Sequence, residues 1–224
     1  MFENLTLVIP AKKEKESLPS VLDELKQYNI KILIILEKND TETINAIKNY
    51  DCKIIYQIKK GYGDAIKLGI ENVDTKYFCI FNADGSFNPS ELKNMMSRLI
   101  LNKANINFAS RYEKDCGSND DTIITLVGNF FFTKIGNIFF NLKISDILYT
   151  YVLGETSSVK QLDIKSNDFR FCVELPIKAK RNNLKLITSK SFERERISGF
   201  KKVNAFKDGF FILLEMIKLF FFKN

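Results

Sequence analysis

The chain has 224 residues, 45% of them hydrophobic, enough for one sizeable core, and its formal net charge is +7. It contains no histidine, which excludes Ser-His-Asp and Cys-His catalysis and His-rich zinc sites. The positive balance points to an anionic partner: nucleotide, phosphate, nucleic acid or a membrane surface.

Met1–Ile9 runs straight into a strand pattern, so no signal peptide is expected. Leu5–Ile9 reads as strand one and leads into Pro10-Ala11-Lys12-Lys13-Glu14. Ser17 can cap a helix whose apolar positions Leu18, Val21, Leu22 and Leu25 keep helical spacing. Lys31–Leu36 is strand two, with Glu37 at its end, and Asp40 or Thr41 starts the next helix. Lys53–Tyr56 is strand three. Gly61-Tyr62-Gly63 then opens a helix, a turn that suits either an ordinary helix start or close approach to a phosphate. Tyr77–Phe81 is an apolar run that reads as a strand buried on both faces. It stops at Asn82-Ala83-Asp84-Gly85-Ser86. Asp84 is a hard oxygen ligand suited to Mg²⁺ or Mn²⁺ bridged to phosphate, and Asp84-Gly85 also suits a plain strand-end turn. Ser90–Leu101 is a helix and Ile106–Ala109 strand five. Strand starts recur roughly every 25 residues with a helix between each pair, the rhythm of serial βαβ units and a parallel sheet. Glu14, Glu37 and Asp84 would share one edge of it.

After Arg111 the pattern changes. Phe, at 20 copies, concentrates after residue 129. Thr122–Leu142 carries one charge, Lys134, and reads as one or two helices lying on a membrane or packed on the sheet, not as a span. Phe169–Lys180 is a helix and Leu184–Thr188 an extra strand. Phe192–Lys202 is a basic loop with Arg194, Arg196, Lys201 and Lys202, suited to a phosphate clamp or to plain solvation. Phe206–Phe222 is an apolar helix suited to a membrane interface or a partner. Cys52, Cys79, Cys116 and Cys172 form no CxxC pair, and three of them read as buried thiols of a reducing compartment.

Taken together, these segments resemble the inverting family-2 glycosyltransferases of GT-A fold, closest in kind to dolichol-phosphate mannose synthases and related polyprenyl-phosphate sugar transferases. VIPAKKEKESLP resembles their VIPAYNEEENLP-type opening, IFNADGSFNP their DAD segment, and KKGYGDAIKLGI their KGxGxAxxxG turn. Ser110–Tyr112 is similar to GSR(Y/F), and Asp146 sits where the family has Ser-Asp. FCVELPIKA matches a Glu-containing helix, and Arg196–Lys202 resembles RxxGxSK. The departures are Lys12-Lys13 for Tyr-Asn, Leu36-Glu37 for two Asp, Asn82 for the first Asp of DAD, and Thr150-Tyr151-Val152 for Gly-Phe-Arg.

The resemblance implies a mostly parallel, Rossmann-like α/β sheet flanked by helices, with C-terminal amphipathic membrane-interface helices. Residues 1–120 would form the nucleotide-sugar-binding part, and 121–224 the acceptor- and membrane-facing part of the same catalytic domain. The implied donor is a nucleotide-diphosphate sugar and the acceptor a polyprenyl phosphate; nucleic acid is not a partner. Mg²⁺ or Mn²⁺ would sit at Asp84, with Asn82 and Ser86 as further ligands. Pro10, Ala11, Glu14, Glu37, Gly61, Gly63, Asn82 and Ala83 would line the donor pocket. Arg111, Arg196 and Lys202 would hold phosphates. Asp146 is the candidate carboxylate base if the acceptor is instead a saccharide or protein hydroxyl. A non-enzymatic membrane-surface protein on this scaffold also fits the departures. The expected location is the cytoplasmic face of a membrane, held peripherally by anionic lipid, with a membrane protein or a second copy on the Phe-rich helices as a further partner.

Overall fold

The computed structural model describes residues 2–199 and 203–222. In the first half β1 (Leu5–Pro10), β2 (Lys31–Glu37), β3 (Lys53–Gln57), β4 (Tyr77–Ile80) and β5 (Ile106–Ser110) fall where the apolar runs place them. Between them lie α1 (Leu18–Leu25), α2 (Thr41–Ile47), α3 (Tyr62–Glu71) and α4 (Leu92–Leu101). Asp40 caps α2 by accepting from the Thr43 N–H. Ser17 does not cap α1; its hydroxyl donates to Glu14 instead, at 2.6 Å.

The second half holds β6 (Gly117–Ser118), α5 (Ile123–Phe140), β7 (Val152–Glu155), α6 (Thr156–Lys160), α7 (Phe171–Arg181), β8 (Leu186–Lys190), β9 (Phe192–Glu193) and α8 (Ala205–Phe221). The apolar stretch from Thr122 is thus one helix, begun by a reciprocal Thr122–Thr125 cap.

Seven strands form one sheet in the order β3-β2-β1-β4-β7-β5-β8. All pairings are parallel except those of β7, which is antiparallel to both β4 and β5. The serial βαβ expectation therefore needs one correction: β4 and β5 are not neighbours, because a four-residue strand from the second half lies between them. Val152–Glu155 is too short for its alternation to stand out from the apolar residues around it. β6 and β9 make a separate two-stranded ribbon.

The inner strands of the sheet are buried on both faces, while β3 and β8 at its edges are largely half-buried or exposed. Leu5, Leu7 and Ile9 of β1 pack with Leu18, Val21, Leu22, Leu25, Met95 and Met96 of α1 and α4. Val8 of the same strand points the other way, into a layer with Ile66 and Ile70 of α3, Val173 of α7 and Ile212 of α8. This period-two split is what makes β1 read as a continuous apolar run. The chain builds β2 and β3 on one side of β1, then crosses through α3 to lay β4 on its other side. Open α/β sheets bind ligands beyond the carboxyl ends of strands at such a switch point.

Candidate active site

Asn82, Ala83 and Asp84 follow β4 at this edge and line a cleft of about 600 Å³. Asp84 is fixed by its own turn. Its Oδ1 accepts from the Ser86 N–H at 3.0 Å and the Ser86 hydroxyl at 2.7 Å. Gly85 takes φ +84, a left-handed conformation that L side chains rarely adopt. Ser86 itself is buried, 1% exposed, and does not line the cleft. It therefore orients Asp84, a correction to its expected place among the metal ligands.

Pro10 and Ala11 at the end of β1, Glu14, and Glu37 at the end of β2 line the same cleft. Glu37 pairs with Lys12 at 2.8 Å. Gly61 lines the same cleft and Gly63 does not. A Cβ on Gly63 would lie 2.7 Å from the Ser166 carbonyl oxygen, so that glycine serves chain packing and not phosphate approach. The residue between them, Tyr62, lines the cleft, stacks on Phe169 and shares a 2.6 Å hydrogen bond with Thr150.

Arg111 also lines the cleft and is held by three carboxylates. Its Nε and Nη2 donate to Asp146 at 2.8 and 3.1 Å, and its Nη1 reaches Glu193 at 2.9 Å and Asp121 at 3.3 Å. The guanidinium also stacks over the Tyr149 ring at 4.4 Å. Asp146 is 0% exposed and takes a further 2.6 Å bond from the Asn129 amide. It cannot meet a hydroxyl acceptor as a base, which corrects the sequence assignment: Asp146 holds Arg111 and Asn129 in place. Burial pushes the Glu193 carboxyl up, against the pull of Arg111. Burial pushes the Cys172 thiol in the cleft wall up to about 12, so it remains a neutral thiol.

Arg196 lines the cleft. Its Nε and Nη2 donate to both oxygens of Asp120, at 3.0 and 2.7 Å, and its Nη1 is 3.9 Å from Asp84 Oδ2. Arg194 of the same basic loop points away and forks onto Glu24. Lys202, the other expected phosphate ligand, lies outside the described residues. Sequence reasoning missed Asp120, Asp121, Glu193 and Tyr62. The acidic pair just before the Thr122 cap, and the Glu-Arg alternation of FERER, are the signals that could have found them.

Among the described residues lining the cleft, six carboxylates (Glu14, Glu37, Asp84, Asp120, Asp121, Glu193) face three cations (Lys12, Arg111, Arg196). Among the described residues no cluster of three His, Cys, Asp or Glu side chains could hold a metal alone. Asp84 Oδ2, facing the cleft beside Asn82, does fit a hard divalent ion bound through one carboxylate and completed by phosphate oxygens and water.

The sequence profile described as glycosyl transferase family 2 matches residues 6–163, and the chain belongs to that family. Among curated relatives, an uncharacterized glycosyltransferase of Mycobacterium bovis is 25% identical over 95 residues, 42% of this chain and 43% of its own length. One from Rickettsia prowazekii is 30% identical over 105 residues, 44% of this chain and 32% of the relative. The chain thus matches less than half the length of these relatives. Among solved structures, glucosyl-3-phosphoglycerate synthase from Mycobacterium tuberculosis in complex with uridine-diphosphate superposes with a TM-score of 0.75 at 9% identity, covering 96% of this chain and 79% of that one. The same synthase with Mn²⁺, uridine-diphosphate and glucosyl-3-phosphoglycerate gives 0.71 at 10% identity, over 95% and 79%. The fold is GT-A, as the resemblance implied.

Proposed function

We propose that this chain transfers a sugar, with inversion, from a nucleotide-diphosphate sugar to a polyprenyl phosphate at the cytoplasmic face of a membrane. Membership of glycosyl transferase family 2 supports the transferase class. The observation that supports the acceptor is what borders the cleft. Thr125 and Asn129 of α5, and Val203 just before α8, line it. On the same two helices Ile123, Phe130, Phe206 and Phe210 stand exposed, Phe206 at 79%. A cleft flanked by bare apolar helices suits an acceptor whose reactive group is polar and whose body is lipid. By length and composition α5 could cross a bilayer. Its Phe132, Thr133 and Gly136 are buried against the rest of the protein, which favours an in-plane position.

The donor diphosphate would lie from Pro10–Ala11 and Glu37 toward Asp84, with Arg196 against its phosphates. Mg²⁺ or Mn²⁺ at Asp84 and Asn82 would neutralise the leaving nucleoside diphosphate; Mn²⁺ accompanies uridine-diphosphate in the mycobacterial synthase. An acceptor phosphate is ionised at neutral pH, so its oxygen can attack the sugar C1 as the C1–diphosphate bond breaks, without a strong protein base. That matches a cleft whose expected base, Asp146, is closed off beneath Arg111. The test is label transfer from nucleotide sugars to extracted polyprenyl phosphate, after a thermal-shift screen of UDP, GDP and CMP with Mn²⁺ to choose the nucleotide. Organic-phase label is expected. Label appearing only on soluble saccharide or protein would replace this acceptor with a hydroxyl.

A further inference from the structure

Arg196 is presented to Asp84 by a segment clipped onto the Asp84 turn. The Arg194 N–H donates to the Ser86 carbonyl and the Ile197 N–H to the Asp84 carbonyl, each at 2.8 Å. The Ile197 side chain lies on Gly85 so closely that a Cβ there would be 2.5 Å from its Cδ1. The backbone register thus places Arg196 at the mouth of the Asp84 carboxylate. Asp120 then fixes the side chain by a two-pronged bond. Because Ser86 takes Asp84 Oδ1, the oxygen left toward the cleft is Oδ2, the one that faces the guanidinium at 3.9 Å.

We propose that Arg196 is an internal counter-cation at Asp84, which a divalent ion must displace, and that Asp120 is the positioning residue holding it there. A divalent ion on Oδ2 would stand within a few ångströms of the guanidinium, where like charges in a partly buried site repel. Loading would then move Arg196 off Asp84 toward the incoming phosphates, with Asp120 as its anchor. This rests on the placement of the metal at Asp84 in the proposed function.

The experiment is Mn²⁺ titration of the full chain followed by electron paramagnetic resonance, without nucleotide and again with UDP. Arg196→Gln is expected to bind Mn²⁺ alone at least about tenfold more tightly than wild type. Arg196→Lys, which keeps the charge but lacks the fork for Asp120, should fall between the two. Lys12→Gln removes a different cation of the same cleft and should stay within about twofold of wild type. Adding Asp84→Asn to Arg196→Gln should erase the gain. Equal Mn²⁺ affinity of wild type and both Arg196 variants, with Mn²⁺–UDP still bound, overturns the counter-cation and leaves the transferase reading standing. An equal gain in Lys12→Gln, or a gain that survives Asp84→Asn, also overturns it. Absence of Mn²⁺ binding in every variant even with UDP overturns the metal placement and this inference together.

Discussion

Asp84 was legible because a carboxylate that ends a buried strand is conspicuous in one dimension, and so were Glu37 and the Pro10 turn. Asp84→Ala is expected to abolish metal-dependent nucleotide binding while the fold survives, at a cost of about 1 kcal/mol for the lost bonds to Ser86. Calorimetry with Mn²⁺ and a nucleoside diphosphate, beside a thermal melt, checks both halves. Asp146 was legible as a position and not as a role. Nothing in LKISDILYTY shows that the carboxylate is swallowed by Arg111 and Asn129, since burial is set by residues 17 and 35 places away. Glu174 is the same kind of case. It is 1% exposed and accepts from the Lys165 and Ser166 N–H groups and the Lys178 ammonium, at 2.7–2.8 Å. Burial pushes its carboxyl up, but these donors outweigh that and hold it below the ordinary value. A carboxyl lowered on folding contributes stability above its unfolded value and loses it as pH falls through the folded one. Glu174→Gln should therefore cost about 1.5–3 kcal/mol in urea unfolding at pH 7. That difference should shrink as the pH falls below about 4.5.

The elements β1 to β5 were legible from apolar runs and the helices between them from spacing, because each is a local pattern with a standard length. β7 was not, since its identity as a strand depends on two partners distant in sequence. The C-terminal helix was legible as an apolar helix, but its buried face was not: Glu215 is buried while Phe206, Phe210, Ile217 and Phe220 stand exposed. Ile212, Met216 and Leu219 of α8 are buried in the main core, so deleting the helix would damage the fold along with any outer contact. Substituting its exposed face separates the two. Phe206→Ser with Phe210→Ser should leave the melting temperature nearly unchanged and lower partition onto anionic liposomes at least about tenfold. Each Phe fully buried in an apolar phase contributes about 1.5–3 kcal/mol. Unchanged sedimentation with liposomes would assign this face to another protein or to a second copy.

At the scale of the whole molecule, the net charge of +7 and the exposed apolar residues of α5 and α8 would each favour the proposed anionic bilayer. Each lysine or arginine near an anionic bilayer adds about 1 kcal/mol, and salt screens that attraction while leaving apolar burial in place. Liposome binding should therefore fall with ionic strength to a residual level, and that residue should vanish in the Phe206→Ser, Phe210→Ser protein. The sheet order also dictates a sequence of events during synthesis. Once Ile80 has been made, 72 further residues (152 − 80) must follow before Val152 can pair with β4. At about 5–20 residues per second that is roughly 4–14 s. Through that interval one edge of β4 has no partner, while the Phe-rich α5 is already emerging, the combination that invites nascent-chain aggregation or chaperone capture. Nascent chains arrested near residue 120 should be cleaved readily by protease near β4, and chains arrested after the whole sheet has emerged should resist it.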